Sequence, residues 1–245
     1  MSLMPKADGS LTGDFKAMDT ELREFWEPIF QLCKHNGGYT PDWDTFIARY
    51  GRYLPQRSPM AYLALTPESL RATLRRMDAN TSAGADAWTV PELRKMPTEW
   101  LQRLCDLLHL VEEVGCWPES IAQGLIAPVP KEPGSQAKNT RPITVMSCVY
   151  RLWAGTRVGE LISWQERWST NHISSYKPAQ GCEDSWWAQA LKVEWALLHD
   201  EPLAGANIDF AKAFDRLPND LLLQMAEQVG TGRPLAVRWA QCTDN

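Results

Sequence analysis

Residues Asn207 to Pro218 read NIDFAKAFDRLP. Apolar Ile208 and Phe210 flank a carboxylate, Asp209. Lys212 and Phe214 follow among small alanines, and a second carboxylate, Asp215, precedes the closing proline. The run PLAGANIDF, residues 202–210, predicts a short strand. NDLLLQMAEQVG, from Asn219, predicts a capped helix that stops at Gly230. Asp209 is therefore expected at a strand exit, where open α/β sheets place active-site groups. Two readings follow. Asp209 is either a turn-forming residue or a ligand for a hard cation. The second needs company, because Mg²⁺ takes several oxygens and keeps waters or phosphates in its shell.

Working outward, the basic charge is concentrated in one block. The chain of 245 residues has a net charge of −5, a poor match to nucleic-acid binding taken alone. Between Leu125 and Val158, however, Lys131, Lys138, Arg141, Arg151 and Arg157 oppose Glu132 alone, a local balance of +4. Within that block, LIAPVPK and TRPITVMS are extended runs separated by EPGSQAKN, which predicts a hairpin with a flexible tip. Prolines 128, 130 and 142 assign its strands to edges. Lys131 and Arg141 flank the tip, so folding could bring a point charge and a planar fork to one phosphate-sized place. The alternative is a solvated pair on a surface hairpin.

The other elements are mostly helical. Leu22, Phe25, Trp26, Ile29 and Phe30 have helical spacing, with a kink or break expected at Pro28. HNGGYTPDWD, from His35, reads as a loop. Thr66 is an expected N-cap, followed by Pro67, with Leu65 and Leu70 spaced as a hydrophobic staple. Leu74 and Met77 continue that face, and in the small-residue loop DANTSAGADAW Gly84 would permit a close backbone approach. Trp100, Leu104, Leu107, Leu108, Val111 and Val114 form a stripe over 98–114 that ends at Gly115. VYRLWAGTRVGELISWQERW predicts a long helix, and WWAQALKVEWALL another beyond a polar loop. Core packing is the default reading of the twelve tryptophans.

No apolar run approaches the length of a membrane span, and the first residues lack the features of a signal peptide. The six cysteines form no C-x-x-C pair, which suits a reducing compartment and an intracellular location, nuclear or cytoplasmic.

Five segments, in order, resemble the reverse transcriptases of non-LTR (LINE-type) retrotransposons. They are LTPESLRATLRRMDANTSAGADAWTVPELRKM, WPESIAQGLIAPVPKEPGS, TRPITVMSCVYRLWAGTRVGEL, AQGCEDSWWAQALKVEWAL and NIDFAKAFDRLPNDLLLQMAEQVG. The last is similar to the family's first catalytic palm motif, D-x-x-K-A-F-D. The resemblance implies an α+β fold, mostly helical, with a fingers β-hairpin and an incomplete palm sheet. Residues 1–63 would be an N-terminal helical extension and 64–245 a partial reverse transcriptase domain comprising the fingers and the start of the palm. It further implies that Asp209 is catalytic and binds Mg²⁺ with the backbone carbonyl of Phe210. Lys131 and Arg141 would contact the triphosphate, and Phe214 would lie under the incoming sugar. Asp215 would be structural, while Lys212 has no chemical step. The implied partners are an RNA template, a DNA primer and deoxynucleoside triphosphates, with Arg151 and Arg157 as template contacts.

Departures from the family pattern accompany the matches. Cys182 replaces a frequent aromatic, and Ala85 and Ala87 flank Asp86 where the family has P-G-x-D-G. The paired-aspartate motif that supplies the family's other metal carboxylates is not found, so the chain alone is not expected to polymerise DNA. Two other classes remain open: a non-catalytic nucleic-acid-binding remnant and a helical protein-interaction module.

Overall fold

The computed structural model describes residues 4–6, 8–31, 42–54, 59–132, 134–169 and 177–232. Strands β1 (Met4–Pro5) and β2 (Leu11–Thr12) pair ahead of helices α1 (Phe15–Phe30) and α2 (Trp43–Tyr50). Helices α3 (Pro67–Arg76), α4 (Val90–Arg94), α5 (Thr98–Val114) and α6 (Glu119–Ala122) follow. The hairpin strands are β3 (Leu125–Pro130) and β4 (Thr140–Val145). Helices α7 (Cys148–Glu166), α8 (Cys182–Leu198) and α9 (Asn219–Val229) come last. Among the described residues the result is a mixed, mostly helical α+β arrangement with two small antiparallel sheets. Among the described residues, no helix is long and apolar enough to cross a membrane.

The core forms where α3, α4, α5 and α7 meet. Thr66 starts α3 through a capping box: its Oγ1 accepts from the Ser69 N–H at 3.2 Å, while Ser69 Oγ accepts from the Thr66 N–H at 3.0 Å. Pro67 occupies a position whose N–H would have no helical partner. That start aims Leu70 and Leu74 inward, against Val90 and Leu93 of α4, Leu101, Cys105 and Leu108 of α5, and Val149, Leu152 and Trp153 of α7. Leu65 joins them, as the staple spacing anticipates. Helix α5 ends at Gly115 with φ +76°, and α9 at Gly230 with φ +105°, both left-handed caps that glycine adopts without penalty.

The loop before α4 is locked to the start of α7. A Cβ at Gly84 would lie 2.5 Å from the backbone nitrogen of Ser147, so two backbones touch there. Ser147 Oγ donates to Asp86 Oδ2 at 2.6 Å, and Arg151 Nη1 donates to Thr81 Oγ1 at 2.7 Å. Gly84→Ala should therefore destabilise the protein by about 1–3 kcal/mol, because neither backbone can yield as a flexible side chain would. A chemical denaturation curve measures it, and an unchanged midpoint would mean that the loop can lift away freely.

Several expectations change. Residues 202–210 form no strand and are exposed throughout. Among the described residues no strand lies beside them, and a lone strand has no ladder to pair its backbone groups. The strand expected at 202–210 is therefore not formed. Helix α1 runs through Pro28 without breaking, although only Trp26 is buried on it. Residues 35–41 of the expected loop lie outside the described residues, while Asp42 caps α2 by accepting from the Thr45 N–H at 2.9 Å. The buried face of α5 runs through Leu101, Cys105, Leu108 and Val111, so Trp100 and Val114 point to solvent. Trp26, Trp153 and Trp164 are core, whereas Trp88, Trp100, Trp186, Trp187 and Trp195 are exposed. Most of α8, including three of those tryptophans, faces outward.

Candidate functional site

The basic hairpin forms as expected. Strands β3 and β4 are antiparallel, with Val129 opposite Arg141 and Pro130 opposite Thr140. The Lys131 N–H donates to the Asn139 carbonyl at 3.0 Å and carries the pairing one step further. Arg141 faces Val129, and Lys131 is two residues along from Val129, so alternation puts both basic side chains on one face. Both are exposed. The tip is less loose than its composition predicts. Ser135 Oγ donates to the Glu132 carbonyl at 2.6 Å and accepts from the Glu132 N–H at 3.1 Å, while 137–139 form a 3₁₀ turn.

The stretch 209–218 comes to this tip through Lys212. Its Nζ donates to the Lys138 carbonyl at 3.3 Å. The same ammonium lies 3.9 Å from the ring centroid of Trp26 and 5.6 Å from that of Phe25. Trp26 Nε1 donates to Thr140 Oγ1 at 3.0 Å, at the start of β4. Helix α1 therefore packs on both the hairpin tip and the 3₁₀ turn Phe214–Arg216. Burial, followed by repulsion from Lys131, lowers the affinity of Lys212 for its proton; Asp215 opposes the shift. Lys131 and Lys212 thus lie within each other's fields. Sequence reasoning missed the roles of Trp26 and Thr140, because nothing local couples positions so far apart in the chain.

Asp209 and Phe210 lie in the exposed run that leads into Lys212. Phe214 is 78% exposed, an open aromatic face in the 3₁₀ turn that packs on α1. Asp209 and the Phe210 carbonyl are hard-oxygen donors, the type that Mg²⁺ takes, and two such groups are too few for its shell. Among the described residues no group of three or more His, Cys, Asp or Glu is gathered for a metal.

The two expected template contacts are engaged elsewhere. Arg157 is 1% exposed. Its Nε and Nη2 donate to Glu112 Oε1 and Oε2, each at 2.7 Å, and its Nη1 donates to Glu160 Oε2 at 2.9 Å and to the Leu63 carbonyl at 2.8 Å. Burial works against its charge, but Glu112 and then Glu160 outweigh that and hold the guanidinium protonated more firmly than usual. An arginine enclosed in this way, with Nε, Nη1 and Nη2 all engaged and the side chain out of solvent, cannot reach a phosphate. Arg151 is half-buried and bound to the loop at Thr81 and Ser82. Arg157 is therefore closed to a template in this arrangement, while Arg151 remains partly open beside the loop it holds.

Comparison with known proteins agrees with the origin inferred from these segments. The chain is 28% identical over 158 residues to the retrovirus-related Pol polyprotein from the type-2 retrotransposable element R2DM of Drosophila melanogaster. The match covers 63% of this chain and 14% of that polyprotein, so the chain spans a small part of its relative. No protein-family model matches it. The similarity supports a retrotransposon-related origin.

Proposed function

We propose that this chain is the fingers and first palm motif of an RNA-directed DNA polymerase encoded by a non-LTR retrotransposon. The observation that carries the reading is the joining of two separate segments: the hairpin bearing Lys131 and Arg141, and the stretch containing Asp209 and Phe214, tied by Lys212 to the Lys138 carbonyl. Lys131 and Arg141 bind the triphosphate of an incoming deoxynucleotide from the hairpin side. Phe214 packs below its sugar, and Asp209 with the Phe210 carbonyl contributes one side of a Mg²⁺ site. Bound Mg²⁺ supplies charge stabilisation for transfer of the nucleotide to a primer on an RNA template.

The test begins with the chain itself. Titration with a deoxynucleoside triphosphate should show binding that weakens about tenfold or more in a Lys131→Ala/Arg141→Ala double variant, since two charge-assisted contacts are removed. Binding should also weaken with salt, and the salt slope should fall by about one for each cation removed that contacts a phosphate. Equal affinities for the variant and the unaltered chain would leave the hairpin a solvated surface feature and defeat the reading.

A further inference from the structure

Lys212 completes the first palm motif without an assigned chemical step, yet three segments converge on it. Its backbone is left-handed, with φ +54°, a conformation that costs a residue with a Cβ about 1 kcal/mol. In that conformation its ammonium reaches the Trp26 ring at 3.9 Å and the Lys138 carbonyl at 3.3 Å. Trp26 is 5% exposed and donates in turn to Thr140 Oγ1 at 3.0 Å. A single ammonium thereby joins helix α1, the hairpin tip and the stretch after Asp209.

We propose that Lys212 and Trp26 form a latch, a positioning pair that seats the hairpin tip against the Asp209 stretch and makes helix α1 a working part of the triphosphate site. The inference rests on the reading of Lys131 and Arg141 as triphosphate contacts. The choice of an aromatic partner has a physical consequence. A carboxylate facing Lys212 would cancel its charge, whereas a ring face holds the ammonium through its quadrupole and adds no net negative charge. Lys212 is thus fixed by a neutral partner; Asp215 offsets part of its charge, and the remainder adds to the field of Lys131. The two cations repel each other, and a polyanion bound at the tip relieves that repulsion. Ligand and closed latch therefore stabilise each other, and the coupling is reciprocal.

The experiment uses the full chain, with inorganic tripolyphosphate and dTTP as probes. The indole N–H resonance of Trp26 is assigned by its loss in Trp26→Phe. Without ligand, Lys212→Met should shift that resonance, and it should weaken tripolyphosphate binding by about threefold to tenfold, the range of a partly desolvated cation–π contact. Lys212→Arg should preserve both the resonance and the affinity. Lys131→Ala should weaken binding while leaving the resonance in place. In the Lys212→Met/Trp26→Leu double variant the losses should not add, because either change opens the same latch.

An unmoved Trp26 resonance in Lys212→Met, with affinity still lowered, would make Lys212 a direct phosphate contact and overturn the latch. Additive losses in the double variant would overturn it as well. If Lys131→Ala binds as tightly as the unaltered chain, the site reading fails and takes the ligand coupling with it. The ligand-free response of the Trp26 resonance to Lys212→Met then decides the latch separately. Lys212 lies outside the core, so this variant is the one least exposed to a general folding defect.

Discussion

Replacing Glu112 with Ala should destabilise the protein by about 3–5 kcal/mol, the cost of leaving a buried charge without its partner. Glu112 accepts both 2.7 Å bonds from Arg157, and its Oε1 also accepts from Trp153 Nε1 at 2.7 Å. The Arg157 side chain is 2% exposed and that of Glu112 is 9%, so water cannot take over the lost contacts without opening the core. The disturbance would spread beyond α5 and α7. Arg157 also donates to the Leu63 carbonyl and lies under the ring of Tyr62, whose hydroxyl donates to the Thr231 carbonyl just past α9. Glu160→Ala should cost less, since it leaves the paired bonds to Glu112 intact. Replacing Glu112 and Arg157 together by Leu and Met should recover part of the stability: an apolar pair carries no desolvation cost, but Trp153 Nε1, Glu160 and the Leu63 carbonyl each lose a partner. Urea unfolding of the three variants measures the ordering. A Glu112→Ala loss below about 1 kcal/mol, the range of an exposed pair, would mean that the guanidinium reaches solvent.

That network shows what could be read from the sequence and what could not. Local chemistry was legible. Thr66, Pro67 and Ser69 specify a helix start through contacts within one turn, and Gly115 ends α5 because its left-handed conformation suits glycine. The proline-marked runs around EPGSQAKN pair in one register. Partner choice was not legible. Arg157 and Glu112 are 45 residues apart, and an arginine on a helix reads as a surface cation until another helix supplies a buried carboxylate. Residues 202–210 have a strand's composition, but a strand needs a neighbour and none lies beside them among the described residues. The same limit hid the latch. Trp26 reads as one more core tryptophan, and its ring acquires a cation only when α1 folds against the segment containing Lys212. Within the candidate site, Lys131, Arg141 and Asp209 could be nominated from their residue types and positions, and Phe214 from the family resemblance alone. The connection that brings hairpin and motif together could not.

On the proposed polymerase reading, replacing Asp209 with Ala in the longer protein should lower DNA synthesis by about a thousandfold or more, the scale seen when a group that stabilises phosphoryl-transfer charge is lost. Nucleic-acid affinity should stay within about twofold, since a carboxylate makes no attractive contact with a phosphate backbone and removing one does not weaken the salt-sensitive term. The structure separates these effects from folding. Asp209 lies in an exposed run outside the core, and surface substitutions of that kind usually change stability by less than about 0.5 kcal/mol. A lost activity with unchanged melting and unchanged binding would therefore locate the defect in the chemistry. Lys131→Ala provides the contrast: its defect should be a raised KM for the deoxynucleotide, because it removes a contact made before the reaction as well as during it. Synthesis that survives Asp209→Ala would return that residue to the role of a turn former. The chain would then be a nucleic-acid-binding segment whose hairpin, rather than its carboxylate, carries the function.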